Sequence, residues 1–315
     1  MAPQVTPIHD DTPPRLVDDV GPIGGQALLE GVMMRRAGAW GAAVRQADGS
    51  ITTTAAALPS DGTGVRTVPL LRGPVALWDS VSLGTRATLW AAQARGTSDG
   101  KGYSKVGLAL TTVLAAVLAV VVLGVAPALV PQALGIEGRW AFNAVESLVR
   151  LGVLVGYMGL LSLSPQVKRT FAYHGAEHMT IHAFEHGSDL TPPAIRRFDR
   201  RHPRCGTAFL LVVILVALVV HVLIGEVSGA VLVATRVLGL PVVAALAYEV
   251  IRFAGTRRHS TIGRVLMAPG SWLQGITTRP PDDDQIEVAI AALRATLAAE
   301  EPASAPAPST AAVAR

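Results

Sequence analysis

The sequence contains few charged side chains, few aromatic residues and one cysteine. Asp, Glu, Lys and Arg make up 16% of its 315 residues, whereas soluble domains average about 25%. The apolar fraction of 50% is ordinary and only 5% is aromatic, so the apolar character comes from Ala, Val and Leu. This composition excludes a disordered or fibrous chain and indicates a membrane protein. The single cysteine, Cys205, excludes an intramolecular disulfide and a multi-cysteine zinc site.

Long stretches without charged residues predict four transmembrane helices, since crossing a hydrocarbon core of about 30 Å takes about 20 apolar residues. Glu146 and Arg150 stand four residues apart and can pair on one helix face, which extends the second span upstream. The fourth span is the least regular, because Arg236, Pro241 and Glu249 lie in or near it. The predicted spans are residues 106–131, 145–165, 205–225 and 231–251.

Lys and Arg are distributed unevenly around these spans. Ten precede the first span, seven lie between the second and third, and seven follow the fourth. Because cytoplasmic loops collect positive charge, we expect a bacterial inner-membrane protein with both termini and the central loop in the cytoplasm. Residues 1–20 are rich in Pro and Asp and have no apolar core, so we expect no signal peptide there.

The segments outside the spans predict a small β-containing segment and two further helices. In the N-terminal segment, residues 21–66, Asp48-Gly49 is typical of a hairpin turn between Ala42–Gln46 and Ile51–Thr54. Residues 67–95 have helical spacing but carry charges, which predicts a helix at the membrane interface or packed against the bundle. The C-terminal segment, residues 252–300, has an acidic helix start followed by a one-sided apolar pattern.

The predicted fold class is therefore mainly α. We expect a polytopic membrane protein with about four transmembrane helices, a small N-terminal β-containing segment and a C-terminal amphipathic helix. Residues 1–20 and 301–315 have the composition of disordered segments.

The central cytoplasmic segment, residues 166–204, contains the motif His-x-x-Glu-His. His174 and His178 are four residues apart and share a helix face, so their imidazoles can bind one metal ion. Glu177 lies beside that face and can act as a general base on a bound water, as in the inverted zincin motif. Catalytic zinc usually takes three protein ligands, so a third is required. The sequence offers His182, Glu185, His202, Cys205 and Glu249.

The predicted topology brings several of these candidates to one membrane depth. His202 and Cys205 come at the cytoplasmic start of the third span, and Glu249 lies at the cytoplasmic end of the fourth. A carboxylate within a span is costly and therefore indicates function. This convergence favours a divalent metal, with zinc as the first choice, held by His174 and His178 and completed by His202, Cys205 or Glu249.

The same residues also have structural interpretations. His182 and His186 continue the four-residue spacing, so this stretch could be a solvated, His-rich helix face. Cys205 could be a small buried residue and Arg204 a positive anchor at the membrane. Glu249 could pair with a basic side chain.

Polar residues near the N-terminus form a second group of candidates. Gly24-Gly25-Gln26, with Glu30 and Arg35, lacks the glycine spacing of a dinucleotide or P-loop motif. It predicts either a tight turn entering a strand or a group of Gln26, Glu30 and Arg35 beside the metal site.

Five arginines crowd the end of the central loop, where anionic headgroups explain them better than nucleic acid does. They are Arg196, Arg197, Arg200, Arg201 and Arg204. We therefore expect membrane lipids as partners, with other membrane proteins as a further class, and no nucleic acid. The oligomeric state is left open.

Several ordered blocks of sequence resemble a known family. They are Gly24 to Arg35, Pro69 to Gly73, His174 to His178, His202 to Thr207, Tyr248-Glu249, Pro269-Gly270 with Gln274 and Thr277-Thr278, and Asp284 to Ala289. Together they resemble the YqhQ-like family, bacterial membrane proteins of unknown function. The chain departs from this pattern at Met179 and Phe184, where relatives commonly have Lys and Tyr. The resemblance implies a metal-dependent membrane enzyme without an established substrate.

The sequence therefore favours a zinc-type hydrolase that acts at the cytoplasmic membrane face on a lipid or a peptide, with Glu177 as the catalytic residue. The alternative is a non-enzymatic membrane assembly or regulatory factor in which the metal site is structural. A transporter is less favoured, because four spans are few and no matching pair of broken spans is visible.

Overall fold

The computed structural model describes residues 23–58, 64–96, 105–257 and 260–300. Within these ranges the protein is mainly helical, with a four-stranded antiparallel sheet at its N-terminal end. The segments predicted to be disordered, residues 1–20 and 301–315, lie outside the described residues.

The sheet is a meander in which each strand pairs with the next in sequence. Its strands are β1 (Gly24–Leu28), β2 (Gly31–Arg35), β3 (Ala39–Arg45) and β4 (Ile51–Ala57). The predicted Asp48-Gly49 hairpin is present, with Arg45 paired to Ile51 and a positive φ of 88° at Gly49. The β1–β2 hairpin extends the predicted β content, and its turn places Glu30 at a φ of 55°.

Eleven helices follow or accompany the sheet in the described residues. They are α1 (Arg72–Ala94), α2 (Lys105–Ala119), α3 (Ala126–Ala133), α4 (Arg139–Leu161), α5 (Pro165–Glu185), α6 (Pro192–Ile195), α7 (Gly206–Ile224), α8 (Gly229–Leu238), α9 (Leu240–Thr256), α10 (Thr261–Thr277) and α11 (Asp283–Glu300). A 3₁₀ turn, Gly64–Thr67, precedes α1, and a π-helical stretch, Val120–Val125, joins α2 to α3.

The central strands β2 and β3 are buried on both faces of the sheet because their side chains alternate between two cores. Val32 and Met34 of β2 face a core shared with α5 and α11, whereas Met33 faces one shared with α1. A reciprocal pair of hydrogen bonds caps α11: Gln285 N donates to Asp282 Oδ1 at 2.8 Å, and Asp282 N donates to Gln285 Oε1 at 3.1 Å. This capping box explains why the acidic run begins a helix.

Two helical stretches are long and apolar enough to cross a membrane, namely Leu110–Ala133 and Arg139–Leu161. Helices α8 and α9 reach that length only as a pair, bent by 43°. The apolar helix Phe209–Ile224 in α7 is shorter, and at 1.5 Å per residue it spans about 24 Å. The structure therefore supports two or three of the four predicted spans. The third predicted span, residues 205–225, corresponds to α7, and the fourth, residues 231–251, falls on the bent pair α8–α9.

The bundle encloses a buried cluster of charged side chains. Glu146 accepts hydrogen bonds from Arg150, one turn along α4, and from Arg236 of α8. Arg236 also donates to Asn143 at 3.1 Å, and Arg150 donates to the carbonyl of Leu123 in the π-helical stretch. The predicted Glu146–Arg150 pair is thus present, and it is buried in the bundle. One carboxylate holds two guanidinium groups and thereby ties α4 to α8.

Glu146→Gln should lower the thermal unfolding midpoint in detergent sharply, because two buried guanidinium groups would lose their counter-charge. Breaking a buried pair on one side costs about 3–5 kcal/mol. Glu226→Gln, which changes an exposed carboxylate in the α7–α8 turn, is the control and should leave the midpoint nearly unchanged. Equal midpoints for the two variants would contradict a structural role for this cluster.

Candidate metal centre

Helix α5 has polar and apolar residues on all sides, and nearly all of its second half is buried. The sheet and α11 cover it, so His178, His182 and Glu177 are each no more than 3% exposed. The interpretation of this stretch as a solvated histidine face is therefore wrong. Buried imidazoles and carboxylates must find partners inside the protein.

Three potential metal ligands converge at the middle of α5 and the start of α7. Ligand atoms of His174, His178 and Cys205 all lie within 4.8 Å of one another, and His174 Nε2 is 3.2 Å from Cys205 Sγ. Cys205 is the N-cap residue of α7, where its sulfur accepts from Thr207 N. The partial positive charge at a helix N-terminus favours the thiolate, which is the form that binds a metal.

Backbone carbonyls orient both histidines toward this point. His174 Nδ1 donates to the carbonyl of Thr277 at 2.8 Å, and His178 Nδ1 donates to the carbonyl of Arg200 at 2.7 Å. Each ring therefore keeps Nε2 as its lone-pair nitrogen, as in metal sites whose ligands are held by outer hydrogen bonds. Burial lowers the pKa of His178 well below its usual range, and the neighbouring His174 and His202 add to that effect.

Glu177 lies beside the triad in an unusual environment for a carboxylate. Burial raises its pKa to about 8; His174 acts to lower it and Cys205 to raise it further. Its Oε2 atom has no hydrogen-bond partner among the described residues. Gly25 of β1 passes so close that a Cβ there would lie 2.8 Å from the carboxyl carbon. The site therefore holds a buried, incompletely bonded carboxylate next to three soft or borderline ligands.

The triad, Glu177 and parts of β1, β2, α1 and α7 line one cavity of about 730 Å³. Its size is ordinary for a small-molecule site. Of the N-terminal candidates, Gln26 and Arg35 lie in its wall. Glu30 lies on the β1–β2 turn, where it pairs with Arg169 and accepts from the Tyr173 hydroxyl at 3.2 Å.

His202 lies next to the triad, but its two ring nitrogens face Arg204 N and Glu185. Its Nδ1 accepts from Arg204 N at 3.2 Å, and its Nε2 faces Glu185 at 3.7 Å. Glu185 in turn holds the guanidinium of Arg204. His202, Glu185 and Arg204 thus form a polar group beside the triad, and His202 does not belong to the three-residue ligand group.

Glu249 is held by another partner. Its carboxylate accepts from Arg72 Nε at 2.8 Å and from Leu70 N at 3.1 Å, which ties α9 to the start of α1. The structural interpretation of Glu249, in which it pairs with a basic side chain, is therefore the one observed. Glu249 does not belong to the group of possible ligands identified among the described residues.

Sequence reasoning missed the groups that orient the site. Gln274 of α10 accepts from His202 N at 2.7 Å and donates back to its carbonyl at 2.9 Å. This pair fixes the loop before α7 against α10, and the Thr277 carbonyl ties the end of α10 to His174 of α5. The sequence does not show which backbone carbonyls will accept hydrogen bonds from the histidines. The signal that could have pointed to these groups was the presence of Gln274 and Thr277 in the blocks that resemble the family.

The fold and the site define a mainly helical protein with two or three candidate membrane spans and a possible His₂Cys metal site. The family model described as "Protein of unknown function (DUF1385)" matches residues 68–299. The chain therefore belongs to this family. It is 33% identical over 286 residues to the "Uncharacterized protein YqhQ" of Bacillus subtilis (strain 168), covering 85% of this chain and 89% of that protein. No solved structure matches the chain.

The purified protein should contain about one equivalent of a divalent metal, by analogy with three-ligand zinc sites. Cys205→Ala and the double variant His174→Ala/His178→Ala should lose it, because each removes ligand atoms from the triad. His186→Ala is the matched control on the same helix and should retain it. Elemental analysis by mass spectrometry makes the measurement. The site would be refuted if wild type and the double variant both lacked stoichiometric metal.

Proposed function

We propose that this protein is a metal-dependent membrane hydrolase whose ion is held by His174 Nε2, His178 Nε2 and Cys205 Sγ. The observation that carries the proposal is the placement of the buried Glu177 carboxylate beside a convergent ligand triad inside one cavity. Three protein ligands with room for a fourth is the pattern of catalytic zinc rather than of closed structural zinc. The DUF1385 family supplies no reaction, so the chemistry rests on these residues.

A bound divalent ion would supply Lewis acidity and a polarised water at this point. The positive charge of such an ion would favour the ionised form of Glu177 over the neutral acid that burial favours. Ionised Glu177 accepts the proton of the attacking water while the water oxygen bonds to the electrophilic carbon or phosphorus of the substrate. The bond to the leaving oxygen or nitrogen breaks, and Glu177 returns the proton to that leaving group. A general base of this kind contributes about 10²–10⁴-fold to the rate.

A membrane location supports a membrane-associated substrate, and lipids and peptides are the two classes considered. The candidate spans Leu110–Ala133 and Arg139–Leu161 support a membrane location, and the Lys and Arg distribution supports a cytoplasmic face for the site.

Glu177→Gln should abolish hydrolysis while leaving metal content and unfolding midpoint near wild type, because the amide keeps the shape but cannot accept the proton. Cells carrying wild type, Glu177→Gln or Cys205→Ala in place of the natural protein would be compared by mass spectrometry of membrane lipids and peptides. The product present with wild type should fall by about 10²-fold or more with Glu177→Gln.

The opposite result would favour the structural alternative. If Glu177→Gln behaved as wild type while Cys205→Ala removed both metal and folded protein, the site would be structural. The protein would then act as a non-enzymatic membrane factor.

A further inference from the structure

The residues just before α1 and the first part of α1 itself expose an unusual amount of apolar surface. Their seven exposed apolar side chains lie between 40% and 72% accessible: Val65, Val68, Leu70, Leu71, Leu77, Trp78 and Val81. We call this stretch, residues 65–81, the apolar wedge. Clustered surfaces of this kind indicate contact with a membrane or another protein.

The backbone of the wedge is held in a strained conformation. Leu70 has a φ of 66°, in the left-handed region that non-glycine residues rarely adopt. Glu249 of α9 accepts a hydrogen bond from Leu70 N and forms an ion pair with the guanidinium of Arg72 on the same turn. These two interactions stabilise a conformation that leaves the Leu70 and Leu71 side chains exposed. Strain held in this way is typical of functional segments.

The position of the wedge identifies its partner as lipid. Gly73 packs against α9 so closely that a Cβ there would lie 2.9 Å from Tyr248 Cβ and 3.2 Å from Ala245 Cα. Because α9 belongs to the bent candidate span, the wedge is continuous with surface that would face the bilayer. Trp78, 72% exposed, is the residue type enriched where membrane meets water.

The same helix forms part of the wall of the metal cavity. Ser80 and Leu83 of α1 line that cavity together with Phe171 and His174 of α5. Leu77, Trp78 and Val81 are thus adjacent along α1 to residues that line the cavity. A molecule leaving the bilayer at the wedge would pass from lipid to the metal centre along one helix.

The cavity also carries groups suited to a phosphate. Arg35, Arg36 and Arg204 line it, and carboxylates hold two of them in place, Glu300 for Arg36 and Glu185 for Arg204. Guanidinium groups fixed in this way bind phosphate oxygens with defined geometry. The apolar side chains of Leu83, Met33 and Phe171 complete an amphipathic lining.

We propose that residues 65–81 insert into the bilayer and that the cavity receives a phospholipid from it, with the phosphate at the arginines and the acyl chains toward α1. This inference deepens the proposed function, on which it rests, by naming a phospholipid rather than a peptide as the substrate.

The test uses the full chain carrying Glu177→Gln, so that bound lipid is not consumed. It is reconstituted without added metal in vesicles of equal parts phosphatidylcholine and phosphatidylglycerol, with a trace of phosphatidylglycerol carrying an acyl-chain diazirine. After illumination, lipid attached to the tryptic peptides covering residues 73–86 and 170–196 is measured by mass spectrometry. The first peptide reports the wedge, and the second reports the cavity wall formed by α5.

Both peptides should be labelled. Leu77→Gln/Trp78→Gln should lower labelling of the α5 peptide by about tenfold, since it removes apolar surface that contacts lipid. The matched control, Leu134→Gln/Trp140→Gln, changes an exposed Leu and an exposed Trp near the start of α4 and should leave that labelling unchanged.

Two results would overturn the inference: labelling of the first peptide alone, or equal labelling of the α5 peptide in the two double variants. Because the measurement needs neither metal nor turnover, failure of the hydrolase proposal would leave the labelling intact. Failure of lipid entry would likewise leave the metal content and the Glu177→Gln result intact.

Discussion

The burial of the α5 imidazoles is the constraint on which the rest of the site depends. A buried imidazole must satisfy its N–H group, and the carbonyls of Thr277 and Arg200 do so for His174 and His178. These carbonyls come from the end of α10 and the loop before α7, so both elements must dock on α5. That docking brings Cys205 to the same point. The ligand triad is therefore a consequence of hydrogen-bond satisfaction in the core.

Three helical glutamates have different environments because different groups face them. Glu146 lies between two guanidinium groups inside the bundle and acts as a counter-charge. Glu249 binds Arg72 and a strained turn, and so positions the apolar wedge. Glu177 faces two imidazoles and a thiol and keeps one oxygen without a partner among the described residues. The last of these environments is the basis for the proposed role of Glu177 in proton transfer.

Much of the local structure could be predicted from the chain itself. Asp48-Gly49 predicted a hairpin because few residues tolerate its turn geometry, and the acidic start of α11 predicted a helix because Asp282 and Gln285 can cap it. The uncharged stretches predicted four spans; two of them are long apolar helices, and a third is the bent pair α8–α9. Absence of charge does not distinguish a straight helix from such a bent pair. Bending depends on how the helices pack, which composition does not record.

The sequence by itself determined that His174 and His178 share a helix face, because helical periodicity is a local property. It also narrowed the third ligand to a few residues. Only the tertiary structure brings Cys205, rather than His202 or Glu249, into the group of possible ligands. The approach of the start of α7 to α5 sets the distance from Cys205 Sγ to the two imidazoles, and Arg72 engages Glu249. These contacts join residues far apart in the chain, and no local pattern specifies them.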